Sequence, residues 1–331
     1  MSANPGRDVR SGLPRVAVVG VGHMGRFHAT KLRQLADEGE LVFAGVCDHD
    51  AVRADTIAAE TRGVVLPDLD AVVRAADAVC VAVPSIHHAR IAGQLLDAGL
   101  DVLIEKPIAS TRDEAQGLIE RARRGQRVLQ VGHVERFSAA MQRVLPVLQR
   151  PRFIEAHRIG PYPARATDVS VVLDLMIHDL DLISLLARSE IAHVDAVGVP
   201  VLSKTEDIAN ARLRFQNGCV ANVTSSRVSL EKLRKIRVFQ SDTYLSIDLS
   251  ANQIQVVRLE GRMGEGGELP KIRAESLGFD PADSLLAQDR AFVRAVRERT
   301  RPAVSGEDGY RALDLALRIQ ESLVLSEALA Q

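Results

Sequence analysis

Tryptophan is absent from this 331-residue sequence, and other aromatic side chains are few, with 8 Phe and 3 Tyr. No charge of one sign dominates, because 42 Lys and Arg residues stand against 43 Asp and Glu residues. Few aromatic rings leave few platforms on which unpaired bases could stack. A balanced charge gives no field that attracts nucleic acid or an anionic membrane. We therefore expect neither a nucleic-acid partner nor a membrane partner.

Long apolar runs and paired cysteines are also lacking. No apolar run approaches the ~18 residues that a membrane span needs. Segment 1–14 lacks the apolar centre of a secretory signal, and we interpret it as a short disordered tail. Cys47, Cys80 and Cys219 are odd in number and far apart, which argues against a disulfide or a zinc site. They are typical of buried thiols in a reducing compartment, so we expect a cytoplasmic protein.

The length corresponds to about two domains at ~150 residues each. Over 15–133, short apolar runs typical of strands alternate with helical stretches. Continuous β-branched strands between helices predict a parallel sheet that is covered on both faces. The first domain is therefore expected to be a doubly wound α/β domain of the Rossmann type.

The pattern changes after Gly132, and 134–331 is expected to form a second domain of the α+β class. Several strand-like runs follow one another between 191 and 258 with no helix among them, and Asn217-Gly218 is a typical hairpin turn. Such a succession predicts an open, mostly antiparallel sheet. The helices of this domain are predicted over Glu135–Gln149, Val171–Ala187, Ser284–Arg299 and Glu307–Ala330.

A glycine pattern follows the first predicted strand directly. Gly20, Gly22 and Gly25 match G-x-G-x-x-G, with His23 and Met24 inside the pattern, and a helix follows. The first glycine allows a tight turn, the second allows the main chain to approach a pyrophosphate, and the third allows close helix–strand packing. The helix N-terminus attracts the anion. The alternative is a plain glycine-rich turn, but this context favours a dinucleotide site.

Asp48 ends the second predicted strand, at the distance where a carboxylate meets the ribose hydroxyls of NAD. The same carboxylate would repel the 2′-phosphate of NADP, and the nearest cation that follows is Arg53. We therefore favour NAD over NADP. The alternative is that Asp48 caps the next helix, a role that Asp50 could fill equally well.

Two further groups of residues lie at the carboxyl ends of predicted parallel strands, where doubly wound sheets bind their ligands. Pro84, Ser85 and His88 form the first group, and Glu105 and Lys106 form the second. Lys106 lies between Glu105 and Pro107, and its positive charge could stabilise a developing alkoxide at the nicotinamide edge. A solvated lysine at a strand end is an equally good interpretation. The predicted cofactor-binding residues are Gly20, Gly22, His23, Met24, Gly25, Asp48, Pro84, Ser85, His88, Glu105 and Lys106.

A third group lies on the apolar helix that is predicted over Val171–Ala187. Asp174, His178 and Asp181 are spaced so that they share one helix face. A carboxylate one turn from an imidazole can orient the ring and raise its basicity, which suits removal of a proton from an alcohol. A structural histidine is the alternative. A metal site would need a further ligand that the sequence does not indicate, so no metal is expected.

His133 and Arg136 follow the last strand of the first domain. We predict that they bind substrate together with Asp174 and His178. Arg136 could hold an anionic group such as a phosphate, or it could pair with Glu135 or with the sheet, and the sequence leaves these alternatives open.

These motifs together resemble the glucose–fructose oxidoreductase, inositol dehydrogenase and MocA (Gfo/Idh/MocA) family of sugar dehydrogenases, over nearly the whole chain. The resemblance implies that Lys106 and His178 assist proton transfer, that Asp174 contacts or orients them, and that the second domain binds substrate and mediates homodimers or homotetramers through its sheet. It also implies that the substrate lies between the domains. The motifs that carry it are the glycine loop, Val81–Ser85 with His88, Glu105–Pro107, the Asp174–His178–Asp181 helix and Ser305–Gly309.

The chain departs from many members of that family, which carry glycines before and inside the aspartate–histidine helix. Val171–Leu173 and Met176 stand there instead, and together with Val131–Phe137 they resemble the branch of UDP-N-acetylglucosamine 3-dehydrogenases. That branch oxidises the sugar 3-hydroxyl before a transaminase installs an amine, on a route to lipid A.

The sequence thus predicts an NAD-dependent oxidoreductase that acts on a secondary alcohol of a sugar or sugar nucleotide. Lys106, His178 and Asp174 are the predicted catalytic residues, and whether lysine or histidine is the base stays open. Inositol or free-sugar dehydrogenation is the near alternative, and reduction with NADPH is another. A non-catalytic NAD(H) sensor would not need these three residues, and a scaffold protein would not need the glycine loop.

Overall fold

The computed structural model describes residues 12–162, 169–251, 253–260, 271–278 and 282–325. The chain forms two compact units. The first extends to Gly132 and includes Leu285–Gly306, and the second consists of His133–Ser284 and the chain from Glu307 onward. Of the expected disordered tail, residues 1–11 lie outside the described residues.

Five strands form a parallel sheet in the first unit. They are β1 (Arg15–Val19), β2 (Val42–Cys47), β3 (Ala78–Val81), β4 (Asp101–Glu105) and β5 (Leu129–Gly132). Their order across the sheet is β2-β1-β3-β4-β5, so the order reverses beside β1. The central strands are apolar and buried because helices cover both faces, which confirms the predicted doubly wound fold. Ligands of such sheets bind at the carboxyl ends of the strands, beside the reversal.

Five helices connect these strands, and polar side chains fix where several of them begin. Asp50 accepts the Arg53 main-chain N–H at the start of α2, and Thr111 and Glu114 form a capping box at the start of α5. Such caps satisfy N–H groups that have no partner inside the helix. The helices are α1 (His23–Asp37), α2 (Ala51–Glu60), α3 (Leu69–Ala75), α4 (His88–Asp97) and α5 (Arg112–Gly125).

A nine-stranded sheet dominates the second unit, in the order β13-β12-β11-β10-β6-β9-β8-β7-β14. Only the β6–β9 and β7–β14 pairs are parallel among the described strands, which confirms the mostly antiparallel sheet. Gly218 has a φ of +83° in the predicted hairpin turn, a conformation that favours glycine. The strands are β6 (Phe153–Ile159), β7 (Ile191–Val199), β8 (Ile208–Phe215), β9 (Val220–Ser226), β10 (Leu233–Phe239), β11 (Thr243–Asp248), β12 (Gln253–Glu260), β13 (Lys271–Gly278) and β14 (Leu323–Leu325).

The two helices before the strands β7 to β13 differ from the sequence prediction. The α-helix expected over Glu135–Gln149 is confined to α6 (Ala139–Val144), because Ser138 caps it and Pro146 follows in a 3₁₀ turn. The helix expected from Val171 begins as a π-helical turn at Val172–Met176 and continues as α7 (Ile177–Ala187). Its buried side chains, such as Leu180 and Ile183, share a core with the sheet.

The last two helices belong to different units. Phe292, Val293 and Val296 of α8 (Ser284–Glu298) lie in the core of the first unit, with the buried side chains of β1 and α1. Helix α9 (Gly306–Ser322) contributes Leu315 and Ile319 to the core of the second unit. The expected second domain, 134–331, therefore loses Leu285–Gly306 to the first unit. Among the described residues, no helix is both long enough and apolar enough to cross a bilayer.

Candidate active site

The glycine loop between β1 and α1 is held by close main-chain contacts. Gly20 has a φ of +84°, and a Cβ there would lie 2.7 Å from the Val83 side chain. A Cβ on Gly25 would lie 1.8 Å from the carbonyl oxygen of Gly20. Gly22 differs, because a Cβ there would meet no described atom within 4 Å. Packing therefore demands glycine at Gly20 and Gly25, whereas Gly22 faces open space.

The N-terminus of α1 opens onto that space. Gly22 is the residue before the first turn, and no side chain of the described residues caps it. The first main-chain N–H groups of the helix, from His23, Met24 and Gly25, lack partners inside the helix and attract an anion. The His23 ring itself lies edge-on to the ring of Phe27, with 5.1 Å between the centroids. We therefore expect His23 and Met24 to bind a cofactor through the main chain.

Asp48 supports the glycine loop from the end of β2. Its buried carboxylate accepts the Val21 N–H at 2.7 Å and the Asp50 N–H at 2.9 Å. Asp50, and not Asp48, caps α2, which excludes the alternative that Asp48 serves as the cap of this helix. Arg53 lies 3.6 Å from the Asp48 carboxylate.

A cavity of about 590 Å³ lies at the carboxyl ends of β1, β2 and β3. Apolar side chains could pack on an adenine ring there, and the Asp48 carboxylate could meet ribose hydroxyls. Pro84 lines this cavity, and Ser85 begins the 3₁₀ turn that follows Pro84. The glycine loop, the uncapped helix and this cavity together fit a dinucleotide. Among the residues that line the cavity are Gly20, Asp48, Leu69, Pro84, His87 and Ile91.

His88 was predicted to bind the cofactor, but the structure gives it another role. Its side chain is buried, and its two ring nitrogens lie 2.9 Å from the Val83 carbonyl oxygen and 2.8 Å from that of Pro107. Burial lowers the pKa of His88, whereas the contacts with the two carbonyl oxygens raise it by a smaller amount. His88 thus links the loops after β3 and β4, and we assign it to loop support.

Glu105 and Lys106 lie where β4 ends, as predicted. Lys106 is half-buried and precedes Pro107 across a cis peptide bond. The Glu105 carboxylate is buried, and it lies 2.9 Å from Nε2 of His28 on α1. The other ring nitrogen of His28 lies 2.9 Å from Asp289 on α8.

His28 and Asp289 are not among the residues that the sequence motifs predicted for the site. A signal was present, because Gly25, His28, Ala29 and Leu32 form one buried stripe along α1. An imidazole on an apolar stripe needs a buried partner.

Asp174 and His178 remain the acid–base candidates of the second unit. Asp174 lies in the π-helical turn, His178 lies in the first turn of α7, and both are half-buried. Ser170 supports this turn, because its hydroxyl accepts the Val172 N–H and its carbonyl oxygen accepts the Asp174 N–H. π-Helical turns occur frequently at functional sites. The described residues contain no group of three or more His, Cys, Asp or Glu side chains that could hold a metal ion.

Asp181 is buried more deeply than Asp174 and His178. It is 1% exposed and accepts two hydrogen bonds from Arg136, at 2.7 and 2.5 Å. Asp308 lies 3.5 Å from the same guanidinium, and the buried His133 ring lies 4.0 Å from Asp181. The sequence left open whether Arg136 binds an anionic group or forms an ion pair within the protein. In the structure Arg136 forms an ion pair with Asp181, and not with Glu135. We assign His133 and Arg136 to this buried network and not to an anionic substrate.

Asp181→Asn is expected to lower the free energy of unfolding by about 3 kcal/mol, because it leaves a buried guanidinium short of its counter-ion. Turnover should fall far less than in a variant of His178. Thermal unfolding and steady-state kinetics measure both effects. Asp195→Asn, which changes an exposed carboxylate on β7, is the matched control. A stable Asp181→Asn variant without turnover would contradict this structural role and show that Asp181 takes part in the reaction.

A second cavity, of about 440 Å³, lies beside Arg136 in the second unit. Four guanidinium groups and three carboxylates line it, and Asp308 and Asp314 pair with arginines there. Its charges therefore largely neutralise one another, and the cavity does not identify a phosphate site.

Two family models match this chain. The model of the GFO/IDH/MocA oxidoreductase family, with an NAD-binding Rossmann fold, matches 14–133. The model of the GFO/IDH/MocA C-terminal domain matches 131–246. The NAD cofactor that the glycine loop predicts is thus confirmed by the family model.

Several relatives match along most of their length. A UDP-N-acetylglucosamine 3-dehydrogenase from Acidithiobacillus ferrooxidans is 36% identical over 307 residues, which cover 92% of this chain and 96% of that protein. Its crystal structure aligns with a TM-score of 0.86 over 94% of this chain and 97% of that chain. A myo-inositol 2-dehydrogenase from Thermotoga maritima is 25% identical, over 93% of this chain and 96% of that protein. Levoglucosan dehydrogenase in complex with NADH and levoglucosan shares the fold, with 18% identity, a TM-score of 0.81 and coverage of 93% and 96%.

Proposed function

Because the chain belongs to the Gfo/Idh/MocA family of NAD-binding oxidoreductases, we propose that it oxidises the 3-hydroxyl of UDP-N-acetylglucosamine. One observation carries the choice of substrate. The 36% identity to the UDP-N-acetylglucosamine 3-dehydrogenase extends over 92% of this chain, whereas the myo-inositol 2-dehydrogenase is 25% identical over a similar span. Inositol dehydrogenation is the competing function that the experiment must test.

The residues of the first unit bind the cofactor and polarise the alcohol. NAD supplies the acceptor for the hydride that leaves the carbon of the alcohol. The N-terminus of α1 holds the pyrophosphate beside Gly22, and Asp48 holds the ribose hydroxyls. Lys106 places its ammonium group where negative charge develops on the substrate oxygen.

Two residues of the second unit, His178 and Asp174, carry out the proton transfer. His178 accepts the proton of the hydroxyl group as the C–H bond breaks, so that the alcohol loses a hydride and a proton and becomes a ketone. Asp174 orients the His178 ring and stabilises its protonated form. The reverse assignment, with Lys106 as the base and His178 in support, fits the same residues.

Three broader properties belong to the same proposal. We propose that the protein works in the cytoplasm, where its three buried cysteines stay reduced. It forms a homodimer or homotetramer through the nine-stranded sheet, which light scattering on the purified protein tests. Its 3-keto product serves a transaminase on a route to lipid A.

The decisive experiment mixes the purified protein with NAD and UDP-N-acetylglucosamine and follows the absorbance of NADH, with a transaminase present to remove the product. We expect an increase that requires the nucleotide sugar and disappears in His178→Ala. An increase with myo-inositol or a free hexose instead would keep the enzyme class and reject the substrate. NAD binding without turnover of any polyol would favour a sensor.

Asp48→Ala is expected to weaken NAD binding about tenfold and to reduce the preference for NAD over NADP. The variant removes the carboxylate that repels a 2′-phosphate, while Arg53, which also pairs with Asp50 at 3.0 Å, stays beside the cavity as a cation for the phosphate. Titrations of both cofactors with wild type and variant measure the change. Asp55→Ala is the control, because Asp55 is an exposed carboxylate on α2 that does not line the cavity. Tighter binding of NADP by the wild type would contradict the assignment of NAD.

A further inference from the structure

Three ionisable side chains from distant parts of the chain meet in the core of the first unit. His28 on α1 lies between Glu105 at the end of β4 and Asp289 on α8. Both nitrogen–oxygen distances are 2.9 Å, and the three residues are 0%, 7% and 1% exposed, respectively. A buried cluster of this kind is costly unless each charge has a partner, so its arrangement is fixed by its own contacts.

The His28 ring can satisfy both carboxylates only with a proton on each nitrogen. Burial by itself lowers the pKa of His28, but the charge and hydrogen bond of Asp289, together with the interactions with Cys80, outweigh burial and hold the pKa well above the ordinary value. Burial likewise raises the pKa of Glu105, but the hydrogen bond and charge of His28, with the charge of Lys106, outweigh it and lower that pKa. Glu105 is therefore an anion beside an imidazolium at neutral pH.

The Glu105 carboxylate connects His28 to the main chain of Lys106. Its Oε1 faces His28, while its Oε2 accepts the Lys106 main-chain N–H at 3.3 Å. Gly132 on β5 leaves the space for the carboxylate, because a Cβ there would lie 2.7 Å from Oε1. The carboxylate is thus confined by a ring, a main-chain donor and the neighbouring strand.

We propose that His28 is a positioning residue for Lys106, which holds the Glu105 carboxylate in place and through it the main chain of Lys106. Asp289 anchors the ring from the other side. The inference rests on the proposed role of Lys106 in turnover. Asp289 lies on α8, whose apolar side chains pack in the core of the first unit.

The other titratable groups beside this cluster do not replace His28. Burial raises the pKa of the Cys80 thiol, which also contacts His28, to about 11, so Cys80 stays neutral. His88 interacts electrostatically with Glu105, but both of its ring nitrogens face main-chain carbonyl oxygens, so His88 does not bind the Glu105 carboxylate. His28 and Lys106 are therefore the two cations that face Glu105 in the described part of the first unit.

A double-mutant cycle tests whether His28 acts through Glu105. We expect His28→Gln and Glu105→Gln each to lower kcat about 10- to 100-fold, as displacement of a reacting group does. The double variant should be no slower than the slower single variant, because the second change removes a contact that is already lost. His193→Gln, at an exposed position on β7, is the control for the substitution. Should His28→Gln not fold, Asp289→Asn takes its place in the same cycle.

Two further measurements separate positioning from general stability. Hydrogen exchange of a peptide that contains the Lys106 amide should become faster in His28→Gln, while exchange of a peptide from β1 stays unchanged. The acidic limb of the kcat–pH profile should move to higher pH. Without His28, burial raises the pKa of Glu105, and the protonated acid forms at a higher pH than in the wild type.

Contrary results would reject either the positioning role of His28 or the proposed role of Lys106. Multiplicative losses in the double variant, or equal acceleration of exchange in both peptides, would overturn the inference and give His28 a purely structural role. Full turnover in Lys106→Met would reject the proposed role of Lys106 instead. The exchange of the Lys106 amide does not depend on turnover, so it distinguishes the two failures.

Discussion

Lys106→Met and His178→Ala should each lower kcat by about two to four orders of magnitude, the range that general acid–base catalysis contributes. The affinity for NAD should change little. Lys106→Met removes the charge that is proposed to stabilise the developing alkoxide, and His178→Ala removes the proposed proton acceptor. Neither side chain lines the described cavity beside Asp48.

Steady-state kinetics and titration of NADH fluorescence measure these two effects separately. Lys232→Met and His193→Ala are suitable controls, because both positions are exposed and lie outside the proposed site. The pH dependence of the residual activity then decides which of the two side chains is the base. Loss of NAD binding with normal turnover of the bound complex would contradict both assigned roles.

Gly25→Ala should abolish measurable NAD binding and destabilise the first unit. The new Cβ would lie 1.8 Å from the Gly20 carbonyl oxygen, so the loop and α1 must move apart. That movement displaces the helix N-terminus that is proposed to hold the pyrophosphate. Thermal unfolding and NADH titration measure the two consequences, and native stability with native affinity would show that the loop does not hold the cofactor.

Gly22→Ala gives the informative contrast. Its Cβ would meet no described atom within 4 Å, and its φ of −65° suits any residue, so thermal stability should be kept. NAD affinity should nevertheless fall, because the methyl group enters the space proposed for the pyrophosphate. Gly117→Ala is the control within α5, where nothing lies within 4 Å and helix propensity favours alanine by about 1 kcal/mol.

The site residues differ in how far local sequence could predict them. Gly20, Gly25 and Asp48 were predictable because their roles depend on a short loop and the strand beside it. The roles of His28 and Asp289 could not be predicted from local sequence, because their contacts form only when α1, β4 and α8 pack together. Such partnerships across long sequence separations arise only from tertiary packing.

Two assignments changed for the same reason. His88 follows a strand end and resembles a ligand in the sequence, but its ring bridges the Val83 and Pro107 carbonyl groups. Asp181 keeps helical spacing from His178, but it lies on the buried side, paired with Arg136. Sequence spacing gives a helix face, whereas the direction of the core decides which side chains on it are accessible.

The sequence by itself determined the doubly wound first unit, the antiparallel second sheet, the cofactor loop and the family. These features follow from periodicity, glycine positions and motifs that act over a few residues. Only the tertiary structure assigned α8 to the first unit and placed His28 between Glu105 and Asp289. The physical reason is that buried charges are stable only beside their partners, and the fold decides which partners meet.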